Sequence, residues 1–230
     1  MKRWAVLVVV LYFLILVALT APLVFVAFYP GVTRHDAFML YSEWTYWAGL
    51  GVILLAQAVM LIVPVDLAMG RPVAQRPVLW TILASGLMVG LLGFGVAISV
   101  DEFVMKGNAD PFHPPLPWVV LVLFWAVWTV VFYRSGRGAD ARDVVTRQCR
   151  YLLKGSILEL LVAVPTHIVA RARDYCCAGI LTFFGIAFGV AVMLFSFGPG
   201  VFFLFAARWK RLHPQRTGVN GPQSSVISPQ

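Results

Sequence analysis

The sequence predicts an all-α fold, a polytopic transmembrane helix bundle. Hydrophobic residues make up 60% of the 230-residue chain, charged residues make up only 12%, and the mean hydropathy is +0.85. A soluble domain carries about 25% charged residues because its surface faces water. The low charge content therefore indicates that much of the surface faces lipid, and the lipid bilayer is the first partner that the sequence predicts.

Five apolar segments are long enough to cross a bilayer, which takes about 20 helical residues. They are residues 4–29, 47–69, 78–100, 117–133 and 178–207. Each should be helical because unpaired backbone groups are costly in lipid. The first is longer than the roughly 7–15-residue apolar core of a cleaved signal peptide, so we expect an uncleaved span. In the last, Gly198-Pro199-Gly200 is expected to kink or unwind the helix.

A sixth segment, residues 151–170, is apolar enough to meet the membrane but carries polar side chains. It contains Lys154, Glu159, Pro165 and His167. Three structures fit this composition: a short fifth crossing, a re-entrant element, or a helix lying in the membrane interface. An ionised Glu159 deep in a span would cost roughly 2.5–3.5 kcal/mol, which argues against a crossing.

The distribution of basic residues favours six crossings. If 151–170 crosses and the N-terminus is inside, 14 of the 18 basic residues lie on the inner side and 4 on the outer side. If that segment lies on the inner face instead, the division is 12 against 6. Short cytoplasmic loops carry the excess of Lys and Arg. We therefore expect both termini in the cytoplasm, with the protein in a bacterial inner membrane.

Two stretches outside the spans are predicted to lack regular structure. The basic stretch 134–150 is expected to be a flexible connector near the inner headgroups. Residues 213–230 are rich in Pro, Gly, Ser and Gln and are expected to form a disordered cytoplasmic tail. The rest of the chain, 1–212, is predicted to be one transmembrane bundle.

Ionisable side chains at membrane depth are functional candidates. Glu159 and His167 are eight residues apart, about two helical turns, so they share a helix face if Pro165 does not break the helix. They could line an ion or ligand pathway, or Glu159 could instead pair with Lys154 near the inner surface. The remaining pathway candidates are Arg171, Arg173, Asp174 and Asp66.

Two sets of side chains have the chemistry of metal ligands. One set is Cys149, His167, Cys176 and Cys177, and the other, in the outer loops, is His35, Asp36, Asp110 and His113. Zinc ligands usually come as C-x₂₋₄-C pairs, whereas adjacent cysteines point apart, so packing of the two adjacent cysteines as small apolar residues is favoured. For the outer set, charged loop residues exposed to solvent are favoured over a metal site. The second outer loop, which contains Asp110 and His113, is also expected to contain Glu102. A bound metal ion is therefore not the favoured prediction, and no other cofactor is indicated.

Small residues recur at helical spacing in two segments. Gly86, Gly90 and Gly93 share a face of 78–100, and Gly185 and Gly189 share a face of 178–207. Missing side chains let helices approach closely, and packing is what joins helices in lipid. These faces are expected to hold the bundle together or to bind other membrane subunits or a second copy.

Several classes of function are not indicated. The chain has no P-loop, no G-x-S-x-G and no H-E-x-x-H motif. It has no basic stretch interleaved with exposed aromatics, so nucleic-acid binding is not expected. The leading hypothesis is a non-catalytic subunit or scaffold of a larger membrane complex. The alternatives are a small ion or solute transporter or channel working as an oligomer, and a metal-handling membrane protein that uses Cys and His at the inner face.

Overall fold

The computed structural model of the chain describes residues 2–20, 41–42, 44–68, 75–105, 116–173 and 179–212. Within these residues 95% are helical and no strand is present, which confirms the predicted all-α fold. The six helices are α1 (Lys2–Thr20), α2 (Trp44–Ala68), α3 (Gln75–Met105), α4 (Leu116–Gly136), α5 (Ala141–Arg171) and α6 (Ile180–Leu212). The predicted tail, 213–230, lies outside the described residues.

Five helices, α2 to α6, are long and apolar enough to cross a membrane. The spans predicted at 78–100 and 117–133 lie wholly inside α3 and α4. In α1, the apolar stretch Ala5–Ala18 is shorter than a full crossing, and the predicted first span continues into 21–29, outside the described residues. The chain is therefore built as a multi-pass membrane protein.

The start of α5 differs from the prediction of a flexible connector over 134–150. Helix α4 ends at Gly136 and α5 begins at Ala141, so only 137–140 link them. Gly138 has a φ of 74°, a conformation that glycine adopts without a steric penalty, and it allows the tight turn. The buried side chains in the first turns of α5 are Val144, Val145 and Gln148. Charged residues on the opposite face conceal this amphipathic pattern when hydropathy is averaged.

None of the three internal prolines, Pro64 of α2, Pro165 of α5 and Pro199 of α6, breaks its helix. Helix α5 continues through Pro165 and α6 continues through Pro199, so α6 is not unwound at Gly198-Pro199-Gly200. The favoured alternative, a kink at this point, stays a prediction. A proline removes one backbone hydrogen bond, and neighbouring helices can support a membrane helix at that point. Beside Pro199, α2 packs closely against α6, because the Gln57 amide lies where a Cβ on Gly198 would be.

Helix directions alternate along the second half of the chain. In α3, Gly86 lies against Thr129 of α4, whereas Gly93 lies against Phe124, so α3 and α4 are antiparallel. Helices α5 and α6 are also antiparallel, whereas α5 runs parallel to α3. Helix α5 thus packs along both α3 and α6 as an integral member of the bundle. Helix α5 is also long and apolar enough to cross a membrane, and the crossing itself stays a prediction.

Polar side chains concentrate inside the bundle, while the outside is apolar. The buried polar residues are Gln57, Thr81, Ser85, Ser99, Glu102, Gln148, Ser156, Glu159, Thr182 and Ser196. The outermost helix is α4, which exposes large apolar side chains such as Trp118, Leu123 and Val127. An apolar exterior of this extent is expected in lipid and unusual in water.

Both predicted glycine faces are covered within the chain. On α3, Gly90 contacts Leu121 and Gly93 contacts Phe124, so α4 occupies this face. On α6, Gly185 and Gly189 face α3 and α5. The glycines therefore hold the bundle together, and these faces are not free to bind a second chain. Of the two expectations for these glycines, packing within the bundle is the one that the contacts support, whereas association with another chain is not supported.

Candidate functional site

Glu159 lies on the buried face of α5, where α5 packs against α3 and α6. Its side chain is only 2% exposed, although its neighbours Leu158 and Leu161 are 64% and 65% exposed. Because an α-helix has 3.6 residues per turn, these side chains lie on different sides of α5. The two leucines face outward and the Glu159 carboxyl group faces inward. The ionisable residue singled out in the sequence is thus placed at a junction of three helices.

Three glycines on the neighbouring helices make room for this carboxyl group, and we call them the glycine cradle: Gly95, Gly185 and Gly189. A Cβ on Gly95 would lie 3.0 Å from Glu159 Oε1, and a Cβ on Gly185 would lie 3.5 Å from the same oxygen. A Cβ on Gly189 would overlap Oε2 and lie 2.8 Å from Cδ. Any larger residue at Gly189 would therefore displace the carboxyl group.

The Glu159 carboxyl group has no hydrogen-bond partner among the described residues. Both of its oxygens are buried and unpaired, and so is the hydroxyl of Ser99, which lies beside Gly185. Leaving one buried polar group unpaired costs about 1–3 kcal/mol, so two neighbouring ones require an explanation. The alternative pairing with Lys154 is not formed, because Lys154 is exposed on another face of α5.

The helices around Glu159 provide no positive charge at its depth. Between Arg76 and Asp101 on α3, and from Ile180 to Ala207 on α6, every residue is uncharged. The interior of the bundle therefore cannot balance a carboxylate with its own side chains. A proton or an ion from outside the protein can do so.

Glu102 closes the site on the side where α6 begins. Its carboxylate accepts hydrogen bonds from the backbone N–H groups of Gly179 and Thr182, the latter at 2.7 Å. The first N–H groups of a helix lack helical partners and carry partial positive charge, so this carboxylate of α3 caps α6. Glu102 was expected in an outer loop, but α3 extends to Met105 and keeps it buried.

His167 belongs to the same end of the bundle. Its Nδ1 lies 2.9 Å from Thr182 Oγ1, and this hydroxyl donates its single proton to the Gly179 carbonyl at 3.0 Å. The imidazole Nδ1 is therefore the donor to Thr182. His167 and Glu159 both face α6, but about 12 Å apart along the helix axis. His167 is thus part of the layer that closes the site.

Two predicted arginines lie beside this layer. The side chain of Arg171 packs against Gly179, where a Cβ would lie 2.9 Å from its Cδ. Arg173 donates from Nη1 to the Glu102 carbonyl at 3.3 Å, and its guanidinium lies over the ring of Phe103. The positive charges therefore line the rim rather than the centre. Asp66 is remote, in the last turn of α2 at the end of the bundle where α5 begins.

The predicted metal sets are not assembled by the described residues. Cys149 precedes His167 by 18 residues on one helix, about 27 Å, so the two cannot bind the same metal ion. Cys149 instead packs against the hydrophobic core. No group of three His, Cys, Asp or Glu in the described residues could hold a metal ion. The other candidates, together with Asp174, lie outside the described residues: Cys176, Cys177, His35, Asp36, Asp110 and His113.

Two residues of the site, Gly95 and Ser99, were not predicted from the sequence. Their signal was present, because Gly95, Ser99 and Glu102 follow an i, i+4, i+7 pattern that places them on one face of α3. The amide of Gln57, which has no hydrogen-bond partner among the described residues, lies against Gly198 farther along the interior. Polar groups therefore recur along the inside of the bundle.

Comparison of the chain with protein-family models, with curated proteins and with solved structures finds no match. The chemistry of the site is therefore inferred from its own atoms: a buried carboxyl group, an unpaired hydroxyl, a glycine cradle, and no internal positive charge at their depth.

Proposed function

We propose that the chain is a membrane transport protein for a small ion or solute, in which Glu159 binds a proton or another cation during the transport cycle. One observation carries this proposal. The Glu159 carboxyl group is buried between α3, α5 and α6 with both oxygens unpaired. Ionisable groups at membrane depth are expensive and mark ion paths and proton relays.

The surroundings of Glu159 fit a site that opens in turn to the two sides of the membrane. On one side lies the layer of Glu102, His167 and Thr182, and on the other lies the hydrophobic core with Leu92 and Leu152. Exchange of a cation requires α3, α5 and α6 to move apart. The glycine cradle offers few interlocking side chains to oppose such a movement.

A scaffold or subunit role, the leading hypothesis from the sequence, loses its specific support. It rested on spans that are apolar all round, on the glycine faces and on the scarcity of polar lining, and the glycine faces are covered by helices of the same chain. The exposed apolar face of α4 fits lipid as well as it fits another subunit. Neither feature explains an unpaired carboxyl group inside the bundle, whereas a transport role does.

The proposed orientation places the N-terminus in the cytoplasm of a bacterium. Exposed arginines gather at the end of the bundle where α5 begins: Arg3, Arg134, Arg142, Arg147, Arg208 and Arg211. An excess of basic residues is typical of the cytoplasmic side. On this basis the layer around Glu102 faces the outside.

Reconstitution of the purified full chain into sealed liposomes tests the proposal. Sodium uptake and internal pH are followed after a sodium or proton gradient is imposed. We expect cation flux above that of protein-free liposomes, and loss of this flux in Glu159→Gln, which keeps the shape of the side chain but cannot bind a cation as a carboxylate. Lys154→Gln is the matched control, because it removes an exposed charge from the same helix.

Flux equal to that of protein-free liposomes would overturn the proposal, as would unchanged flux in Glu159→Gln. Native mass measurement of the detergent-solubilised protein provides the comparison with the scaffold hypothesis. Foreign chains that co-purify in fixed ratio with a flux-inactive protein would support a subunit role instead.

A further inference from the structure

Three oxygen atoms converge on one point beside Gly185. At the position where a Cβ on Gly185 would lie, the Ser99 hydroxyl is in contact, the Gly95 carbonyl oxygen is 3.0 Å away, and Glu159 Oε1 is 3.5 Å away. The oxygens come from two helices, α3 and α5, while α6 contributes only the absence of a side chain. The missing side chain of Gly185 thus lets a hydroxyl, a carbonyl and a carboxyl oxygen approach the same point on the surface of α6.

Ser99 differs from the other helical serines in this part of the chain. The hydroxyls of Ser85, Ser156 and Ser196 each donate to a backbone carbonyl of their own helix, at 2.7 to 3.0 Å. The Ser99 hydroxyl has no hydrogen-bond partner among the described residues, although it is fully buried. Its lone pairs and its proton are therefore not committed to the helix backbone, and they remain available to a ligand.

The Gly95 carbonyl can serve the same ligand. A carbonyl oxygen has two lone pairs, and a helical hydrogen bond uses one of them. Because Ser99 follows Gly95 by four residues, its hydroxyl lies directly above this carbonyl on the same face of α3. The third oxygen comes from the Glu159 carboxylate of α5, which carries the only formal charge among the three groups.

The donor atoms select the class of ligand. Carboxylate, hydroxyl and carbonyl oxygens suit hard cations, whereas soft metals prefer sulfur or imidazole. One carboxylate balances one positive charge, and α3 and α6 carry no other charge at this depth. A divalent ion would leave a net charge buried in a medium of low polarity, which is strongly unfavourable.

We infer that the Glu159 site is a sodium site, with Glu159 Oε1, Ser99 Oγ and the Gly95 carbonyl oxygen as protein ligands. This inference rests on the proposed function in one respect only: the sodium ion bound at the site is taken to be the ion that is transported. A proton would need Glu159 alone, since it occupies one carboxyl oxygen. A metal cation needs Ser99 as well, so Ser99 distinguishes the two.

Sodium binding is tested on the full chain in detergent. Radioactive sodium binding and thermal unfolding are measured in NaCl, KCl and choline chloride at equal ionic strength. We expect saturable sodium binding and an unfolding midpoint that rises with Na⁺ but not with choline. A smaller rise with K⁺ supports the assignment to sodium, and an equal or larger rise with K⁺ would overturn it. Ser99→Ala should weaken sodium binding about tenfold, the change that follows from losing about 1.4 kcal/mol, and Glu159→Gln should abolish it. Ser196→Ala removes a buried hydroxyl that bonds its own helix and should bind sodium as the wild type does.

The outcomes separate this inference from the proposed function. Sodium binding that depends on Glu159 and Ser99 but is not accompanied by flux in liposomes would support the sodium site and overturn the transport role. Proton flux that depends on Glu159, without sodium binding, would support transport and overturn the sodium site. Equal sodium affinity in Ser99→Ala and the wild type would also overturn the inference, because a ligand could not be removed without effect.

Discussion

Oε2 of Glu159 occupies the space in which a Cβ on Gly189 would lie, and no described residue donates a hydrogen bond to it. The two residues come from antiparallel helices, α5 and α6, that meet along their length. The absence of a side chain on α6 is therefore matched to a carboxyl group on α5. This relationship explains why a polar side chain fits tightly at a helix junction that offers it no partner.

Replacement of Gly189 by alanine should destabilise the bundle. The new methyl group would meet Glu159 Cδ at 2.8 Å and Leu160 Cδ2 at 2.9 Å, in addition to overlapping Oε2. Overpacking of this kind costs about 1–3 kcal/mol, so the midpoint of thermal unfolding in detergent should fall. Gly200→Ala is the matched control on the same helix, because nothing lies within 4 Å of its Cβ position.

A double variant isolates the contact itself. In a Glu159→Ala background the carboxyl group is gone, so Gly189→Ala should lower the unfolding midpoint by less than it does in the wild type. Equal losses in the two backgrounds would show that the carboxyl group does not occupy the space beside Gly189.

Loss of the Glu102 carboxylate should loosen the start of α6. In Glu102→Gln one acceptor oxygen becomes an NH₂ group, which cannot accept from Gly179 or Thr182. Hydrogen bonds to a charged group contribute about 1.5–3 kcal/mol, so we expect a lower unfolding midpoint and faster amide hydrogen exchange in the first turn of α6. Asp101→Asn is the matched control, because no described residue forms a hydrogen bond with Asp101 Oδ2. Similar exchange in the two variants would contradict the capping role.

The two ends of α5 should lie on opposite sides of the membrane. Its 31 residues span about 46 Å, more than the roughly 30 Å of a hydrocarbon core. Single cysteines are introduced as Ala172→Cys and Arg137→Cys after the three native cysteines are changed to serine. In intact cells we expect an impermeant maleimide to label the first, and the second only after permeabilisation. Labelling of both from one side would mean that α5 lies on the membrane surface.

The sequence was a good guide to the helices and a partial guide to the site. Long apolar runs locate α3 and α4 because lipid requires helices of a minimum length. The first ten residues of α5 were missed because Arg142, Arg147 and Arg150 lower the average hydropathy, although the opposite face is buried. Amphipathic periodicity, rather than mean hydropathy, carries that information.

Glu159 could be selected from the sequence because a carboxylate within an apolar segment is rare. Its neighbours could not, since the contact with Gly95 depends on the register between α3 and α5, which no local pattern specifies. The spacing of Gly185 and Gly189 predicts a face for close helix packing. It does not predict that the side chain packed against this face is a carboxyl group. Glu102 was assigned to a loop because hydropathy falls before α3 ends.

The central claim is that a cation from outside the protein balances Glu159. Infrared difference spectroscopy of the purified chain tests it most directly, because protonated and ionised carboxyl groups absorb at different frequencies. The account predicts carboxyl bands that change when the Na⁺ concentration or the pH of the buffer is changed, that disappear in Glu159→Gln, and that persist in Glu102→Gln. A spectrum in which wild type and Glu159→Gln respond identically to both cations would contradict it, because Glu159 would then be a sealed structural group.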